Sequence, residues 1–417
     1  MKKIIFFISI ILIPFCCLGK VTSKSKAAQK DPEAVFSQGI EAFMDYNFEE
    51  AADLFDEYES LQTKKKKPLD DNFDTFQKQL NIAGNAFDRV EKIIIIDSLS
   101  LSKSDFYKKY NLPSSSGRIV MGNELSNNPG LNDLQYCFVN ETGDNVFWTS
   151  ISPDSLPIVN EGVLLLDGSW EINSHEIPSF QATEIEFPFV CSDGQTFYFS
   201  AKGDESMGGY DLFVAQRDPI SGEFRQPLNL GMPYNSPFDD VLLALDEENG
   251  IGWWATQRNS DEDKITVYVY IVNEIRENYP SDEENLVSFA KITDYKNTQP
   301  ENKGNQIKEL KKILADNLSP ENKKKNIEFS LPMDGGKTYH TLTDFKNRQA
   351  SQQMQKLLAK EKELARLEKR LTDISKSQSK RSGSNSQLTE LESKVDNLRK
   401  DVIASRNEVY RLERNKK

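Results

Sequence analysis

Cysteine and histidine are scarce in this chain of 417 residues, which holds four Cys and two His. His175 and His340 stand alone, and the Cys are not grouped at the spacing of a structural metal site, so no metal and no cofactor is expected. Apolar residues are also few, at 37%, while charged residues reach 28%. Part of the chain must therefore be solvated helix or linker rather than core. An excess of basic residues is absent: 52 Lys and Arg against 65 Asp and Glu leave a net charge of −13. That balance argues against a generic nucleic-acid binder, because the phosphate backbone would be repelled. After the N-terminus no run of 18 apolar residues occurs, which excludes a polytopic membrane protein. What the chain does have is length, enough for two or three domains with a sizeable core.

Met1-Lys2-Lys3 followed by the apolar residues 4–18 has the form of a signal peptide, and Cys17-Leu18-Gly19 offers a small-x-small site for a cut before Lys20. Phe15 before Cys16, and Pro14 three before Cys17, weigh against a lipoprotein signal. The chain is therefore expected to be exported. Export would leave Cys137 and Cys191 in the chain, read either as two small buried side chains or as a bridge, with the first favoured.

From residue 32 to 66 the sequence places Phe36, Gly39, Ile40, Tyr46, Ala51 and Phe55 at helix-pair spacing. Gly39 would let a second helix approach closely, and Ala51 with Phe55 would return that packing. The pattern resembles one tetratricopeptide unit, although Thr63 stands where that family carries its trailing Pro. A third helix is predicted from the stripe Phe73, Phe76, Leu80, Ala83, Phe87 and Val90, which would cap the pair. The β-branched run 93–96 reads as a strand.

Between residues 135 and 273 the chain repeats itself. Gly143-Asp144-Asn145-Val146-Phe147-Trp148-Thr149-Ser150 recurs as Asp193-Gly194-Gln195-Thr196-Phe197-Tyr198-Phe199-Ser200, and more loosely as Asn249-Gly250-Ile251-Gly252-Trp253-Trp254-Ala255-Thr256. Asp167-Gly168-Ser169-Trp170 likewise matches Ser221-Gly222-Glu223-Phe224. Each unit reads as four short strands joined by Gly or Asn turns, with aromatics to fill the space between sheets. The run Ser200-Ala201-Lys202-Gly203, Met207-Gly208-Gly209-Tyr210-Asp211-Leu212-Phe213, Pro227-Leu228-Asn229-Leu230-Gly231 and Asn235-Ser236-Pro237-Phe238-Asp239-Asp240 resembles the WD40-like propeller repeat of the TolB type. The resemblance covers one full blade and, more loosely, its two neighbours. It implies a β-propeller of an exported Gram-negative envelope protein, periplasmic or outer-membrane-associated, with Asp239 and Asp240 as its inter-blade polar pair. Three blades leave bare sheet edges, so residues 93–96 with 117–121, and 327–331 with 337–342, are expected to close the ring as a shared blade.

Ser192-Asp193-Gly194 is two residues too short for a sialidase-type Asp box, no G-x-S-x-G elbow occurs, and neither His lies in a motif that would make it a base. Asp204, Ser206 and Gly208 lack the spaced acids and bidentate Glu of an EF-hand. The chain is expected to be no enzyme.

Residues 281–325 have linker composition, with one helix predicted over 307–318. Beyond residue 344, Leu357, Leu364, Leu367, Leu371 and Ile374, then Leu388, Leu391, Val395, Leu398, Val402, Val409 and Leu412, form two heptad stripes separated by the polar run 375–387. They predict an antiparallel helical hairpin, with a self-association arm as the alternative. Residues 341–417 carry 19 Lys and Arg against 11 Asp and Glu, a local charge of +8 that leaves −21 on the rest. This basic tail fits an anionic partner, or simply the solvated outer face of a coiled coil.

The expected fold is therefore mixed α and β and multidomain: signal peptide 1–19, linker 20–31, tetratricopeptide-like helices 32–92, small propeller 93–280, linker with ring-closing strands 281–343, and coiled coil 344–417. The expected function is a non-catalytic exported scaffold or adaptor. It would bind envelope proteins through its propeller and helices, and by family analogy serve an outer-membrane or secretion machine, one of type IX character among them. Peptidoglycan or the outer-membrane surface are further partners, and residues 344–417 could self-associate. The alternative is a carbohydrate-active or wall-glycan-binding propeller. The propeller-mouth loop residues Lys202, Asp204, Met207, Tyr210, Arg258 and Asp261 are the expected contact set.

Overall fold

The computed structural model describes residues 30–125, 128–165, 168–218, 221–317, 329, 331–333, 337–378 and 386–414. The expected signal peptide, residues 20–29 of the expected linker, residue 318 of the expected helix, and residues 327, 328 and 330 of the expected closing strands lie outside them.

Three helices come first: α1 (Pro32–Met44), α2 (Phe48–Lys65) and α3 (Phe73–Phe87). Pro32 starts α1 where its missing N–H costs nothing, and Lys66 ends α2 in a left-handed conformation. Gly39 is required by packing, because a Cβ there would stand 2.5 Å from the Phe55 ring. Phe36 stacks on Tyr58 at 4.7 Å and meets Phe73 of α3 at 5.9 Å, so α3 covers the open side of the pair as its stripe predicted.

The chain then builds three antiparallel sheets. Strand β1 (Ile94–Ser102) is followed by two short 3-10 turns, β2 (Arg118–Met121) and β3 (Tyr136–Val139). Next come β4 (Asn145–Ile151), β5 (Pro157–Leu164) and β6 (Trp170–Glu176), then β7 (Ala182–Val190), β8 (Thr196–Gly203), β9 (Asp211–Gln216) and the two-residue β10 (Leu228–Asn229). Strands β11 (Asp240–Asp246), β12 (Ile251–Thr256) and β13 (Lys264–Ile271) complete the set. The orders are β2-β3-β4-β5-β6, β10-β9-β8-β7 and β1-β13-β12-β11. Each repeated turn carries a glycine in the left-handed region, with φ of +79° at Gly143, +65° at Gly194 and +64° at Gly250. Strands β7 and β11 also share a bulge, where Phe187 and Leu242 take φ of 56° and 53°.

The middle sheet lies between the other two: β7 packs on β3 and β4 at one side and on β11 at the other. Aromatic rings fill these seams, Phe147 meeting Phe197 at 5.5 Å and Phe138 meeting Phe189 at 5.0 Å. Among the described residues no sheet closes on itself as a barrel.

The expected closing blade is not formed. Strand β1 pairs with β13, Ile95 opposite Tyr270, and β2 pairs with β3, Ile119 opposite Phe138. The third sheet thus takes its fourth strand from residues that precede the repeats. Between β1 and β2, residues 103–117 thread Phe106, Tyr107 and Tyr110 into the common core, and Tyr110 Oη donates to Leu242 O at 2.7 Å. This segment thus touches β11 through Tyr110 and β7 through Phe106, whose ring lies 6.0 Å from that of Phe187. Of the other expected closing pair, 327–331 with 337–342, Leu331 begins β14 (Leu331–Met333), which pairs with β15 (Lys337–Tyr339) and packs against the tail rather than the sheets.

Residues 281–317, expected as linker, are packed. Helix α4 (Leu286–Lys291) joins the core of the N-terminal helices through Leu286 and Ala290, and α5 (Gly304–Asn317) lays Ile307 and Leu310 on the sheet core. Thr298 Oγ1 accepts from Ile95 N and Gln299 Nε2 donates to Ile95 O, occupying the outer edge of β1 at that residue. Two long helices end the chain, α6 (Arg348–Gln378) and α7 (Ser386–Arg414). They run antiparallel, since Lys360 bonds Ser405 and Asn347 bonds Leu412 O. Met354, Leu357, Val402 and Val409 are buried between them.

Candidate functional site

The polar residues of the sequence motif are drawn inward. Arg258 Nη2 donates to Asp240 Oδ1 at 2.8 Å and to Tyr234 O at 2.8 Å, Nη1 reaches Ala290 O in α4, and Nε reaches Thr256 Oγ1. Burial raises the Asp240 carboxyl, while the Arg258 charge and the Ser236 hydroxyl oppose the rise. Asp211 accepts from Met207 N, Gly208 N and Asn229 Nδ2; burial pushes its carboxyl up to about 8 against these donors. Asp239 Oδ1 accepts from Tyr210 N at 2.9 Å. A Cβ on Gly208 would stand 2.7 Å from Phe238 O, so the glycine lets the 207–210 turn nest against residues 236–239. Tyr46 from the helices ends in the same region, with its hydroxyl raised to about 12 chiefly by burial. The motif is a clasp joining the helices, the middle sheet and the third sheet.

The expected contact residues are consequently scattered. Met207 is fully buried beneath the helices and Arg258 is buried in the clasp. Asp204 is exposed and pairs with Lys78 of α3 at 3.2 Å, while exposed Asp261 pairs with Lys264 at 2.8 Å. Only Lys202 and Tyr210 converge, both on Glu184: Tyr210 Oη donates to Glu184 Oε2 at 2.6 Å and Lys202 Nζ lies 3.9 Å from Oε1.

Near this pair an open cleft of about 350 Å³ is lined by Asn132, Leu134, Gln135, Tyr136, Ile185 and Glu186. Tyr136 packs on Phe187 at 4.3 Å and on Tyr107 at 5.4 Å, and desolvation raises its hydroxyl to about 12. Tyr107 in turn donates to Glu124, which Lys108 also pairs at 2.6 Å. Desolvation, and then the Glu184 charge, raise the Glu186 carboxyl. Leu134 is 72% exposed at the rim. The floor is held by Gln135 Nε2 donating to Thr149 O and Thr149 Oγ1 donating to Ile185 O. The arrangement presents aromatic surface, one exposed leucine and carboxylates to solvent. Sequence reading missed Tyr136 and Glu186; the available signal was Glu184-x-Glu186, two acids sharing one face of a strand. At the opposite ends of the same strands a smaller cavity of about 130 Å³ is lined by Asn140, Glu141, Cys191, Ser192 and Glu247.

Cys137 and Cys191 are both free and buried, and burial raises their thiols, that of Cys137 to about 12. Among the described residues no group of three or more His, Cys, Asp or Glu side chains could hold a metal ion, and no helix is long and apolar enough to cross a membrane. No family model, no curated protein and no solved structure matches the chain.

Proposed function

We propose that this chain is a non-catalytic exported scaffold or adaptor that binds an envelope protein through the Tyr136 cleft. On this reading the three sheets are blades of an open, TolB-like propeller, and α1 with α2 is a tetratricopeptide-like unit fixed to it. One observation carries the reading. The motif acids Asp211, Asp239 and Asp240, with Arg258, are hydrogen-bonded inside the protein and make helices and sheets one body, while the aromatic and acidic cleft faces solvent. Large rings beside a polar rim are the composition of protein-binding hot spots.

The test is a photo-crosslinking residue at Leu134 in intact cells, with one at Asp261 as the control. The reading expects a discrete envelope protein linked from 134, not from 261, and lost on Tyr136→Ala. Turnover of a polysaccharide or glycoside by the purified chain, abolished by changing one cleft carboxylate, would overturn it in favour of a carbohydrate-active propeller.

A further inference from the structure

The three outer sheet edges are treated differently. The middle sheet ends in β10, only two residues long, and β1 is occupied at Ile95 by Thr298 and Gln299 and broken by a register shift between Ile95 and Asp97. Strand β6 is seven residues long, lies at the outer edge of its sheet, and pairs with β5 without a register shift. Its sequence, Trp-Glu-Ile-Asn-Ser-His-Glu, contains neither the Lys nor the Pro by which exposed edges are usually blunted, and Ile172 is 49% exposed.

The direction of its backbone groups follows from the ladder. Leu165 N donates to Ser169 O, and Ile177 N donates to Pro157 O, each at 2.8 Å. Both pairs belong to the β5–β6 register, in which Glu161 faces Asn173. Because hydrogen-bonded pairs alternate along an antiparallel ladder, Glu171, Asn173 and His175 bond inward to β5. Ile172, Ser174 and Glu176 therefore present N–H and C=O outward, where no described residue receives them.

We propose that the chain self-associates through this edge: two copies of β6 pair antiparallel about a two-fold axis at Asn173, joining their five-stranded sheets into one of ten strands. This register overlaps all seven residues and places outward Ile172 opposite outward Ser174 of the second copy, so the ladder continues without a break. It also sets Glu171 opposite His175 of the second copy. That pairing is complementary, because Arg217 Nη2 lies 2.8 Å from His175 Nε2 and guanidinium cannot accept. The proton of the neutral ring is then on Nδ1, which is the donor a carboxylate needs. Glu171 and His175 occupy non-hydrogen-bonded positions, where facing side chains come closest. The surface is isologous, so association closes at two copies.

The register is tested by disulfide trapping in the full chain. Asn173 faces itself across the axis with Cα atoms about 4.5 Å apart, within bridging range. Glu171 and its own copy are four residues out of register, roughly 13 Å at ~3.3 Å per residue, beyond that range. The expected results are a dimer by sedimentation, an interchain link for Asn173→Cys under mild oxidation, and no link above the unsubstituted chain for Glu171→Cys. Ile172→Pro removes an outward N–H without touching the β5 ladder, and should weaken the dimer tenfold or more with an unchanged circular dichroism spectrum. A monomer at every concentration would overturn the proposal, as would equal linking at 171 and 173. If Ile172→Pro fails to fold, the two cysteine variants still decide.

Discussion

Arg258 and Asp240 meet at 2.8 Å with 1% and 0% of their side chains exposed. Removing one partner of a fully buried pair leaves the other charge without compensation, which typically costs about 3–5 kcal/mol. Arg258→Met should therefore lower the denaturation midpoint strongly, while Arg258→Met combined with Asp240→Leu should recover part of the loss. Equal destabilisation by the single and double variants in urea titration would contradict the clasp.

A second expectation concerns Gly208. A methyl group there meets the backbone oxygens of Ser236 and Phe238, which cannot swing aside as a side-chain tip would. Gly208→Ala should cost on the order of 1–3 kcal/mol by overpacking, read as a fall in thermal midpoint. Gly84→Ala is the control, since nothing lies within 4 Å of its Cβ position, and a helix gains from the exchange.

Asp211 gives a pH dependence. Its carboxyl sits at about 8 in the folded protein, against ~3.9 in an unfolded chain. Between those values the folded state keeps a proton the unfolded state has lost, so this group's contribution to stability falls as pH rises and levels off above about 8. Asp211→Asn cannot ionise. Its stability relative to the unsubstituted chain should improve steadily from pH 5 to pH 8 in parallel denaturant titrations.

In the tail, Glu413 near the end of α7 accepts from Lys346 N and Asn347 N, just ahead of α6, and from Tyr339 Oη. Its carboxylate satisfies donors at a helix start, where negative charge is also favoured. Glu413→Ala should cost about 1–2 kcal/mol and lower the tail's own melting step, followed by circular dichroism, while leaving the sheet transition in place.

Local features of this architecture were legible in the residues. The glycines at 143, 194 and 250 announced tight turns because positive φ is a property of one residue, and Gly39 with Phe55 announced a close helix contact for a similar reason. The partner of β1 was not legible. Its ladder joins residues near 98 to residues near 268, and pairing over that span leaves no local pattern. The resemblance marked Asp239 and Asp240 as an inter-blade polar pair, but the partners of these acids and of Asp211 were not legible. Only the folded arrangement supplies Asn229, Arg258 and the Tyr210 amide that bring them inside. The cleft was hidden similarly: Tyr136 and Glu186 sit on neighbouring sheets, and nothing in the spacing of 50 residues says that they meet.

The wedding of β1 to β13 also dictates when the molecule can be finished. A ribosome or a translocation channel releases residue 94 long before residue 271, and each doubling of such a separation adds only about 0.6 kcal/mol to closure, so the delay is kinetic rather than energetic. Until the late strand emerges, the early one is an apolar ribbon without a mate, and anything that holds nascent chains apart during that interval protects the assembly of the whole body.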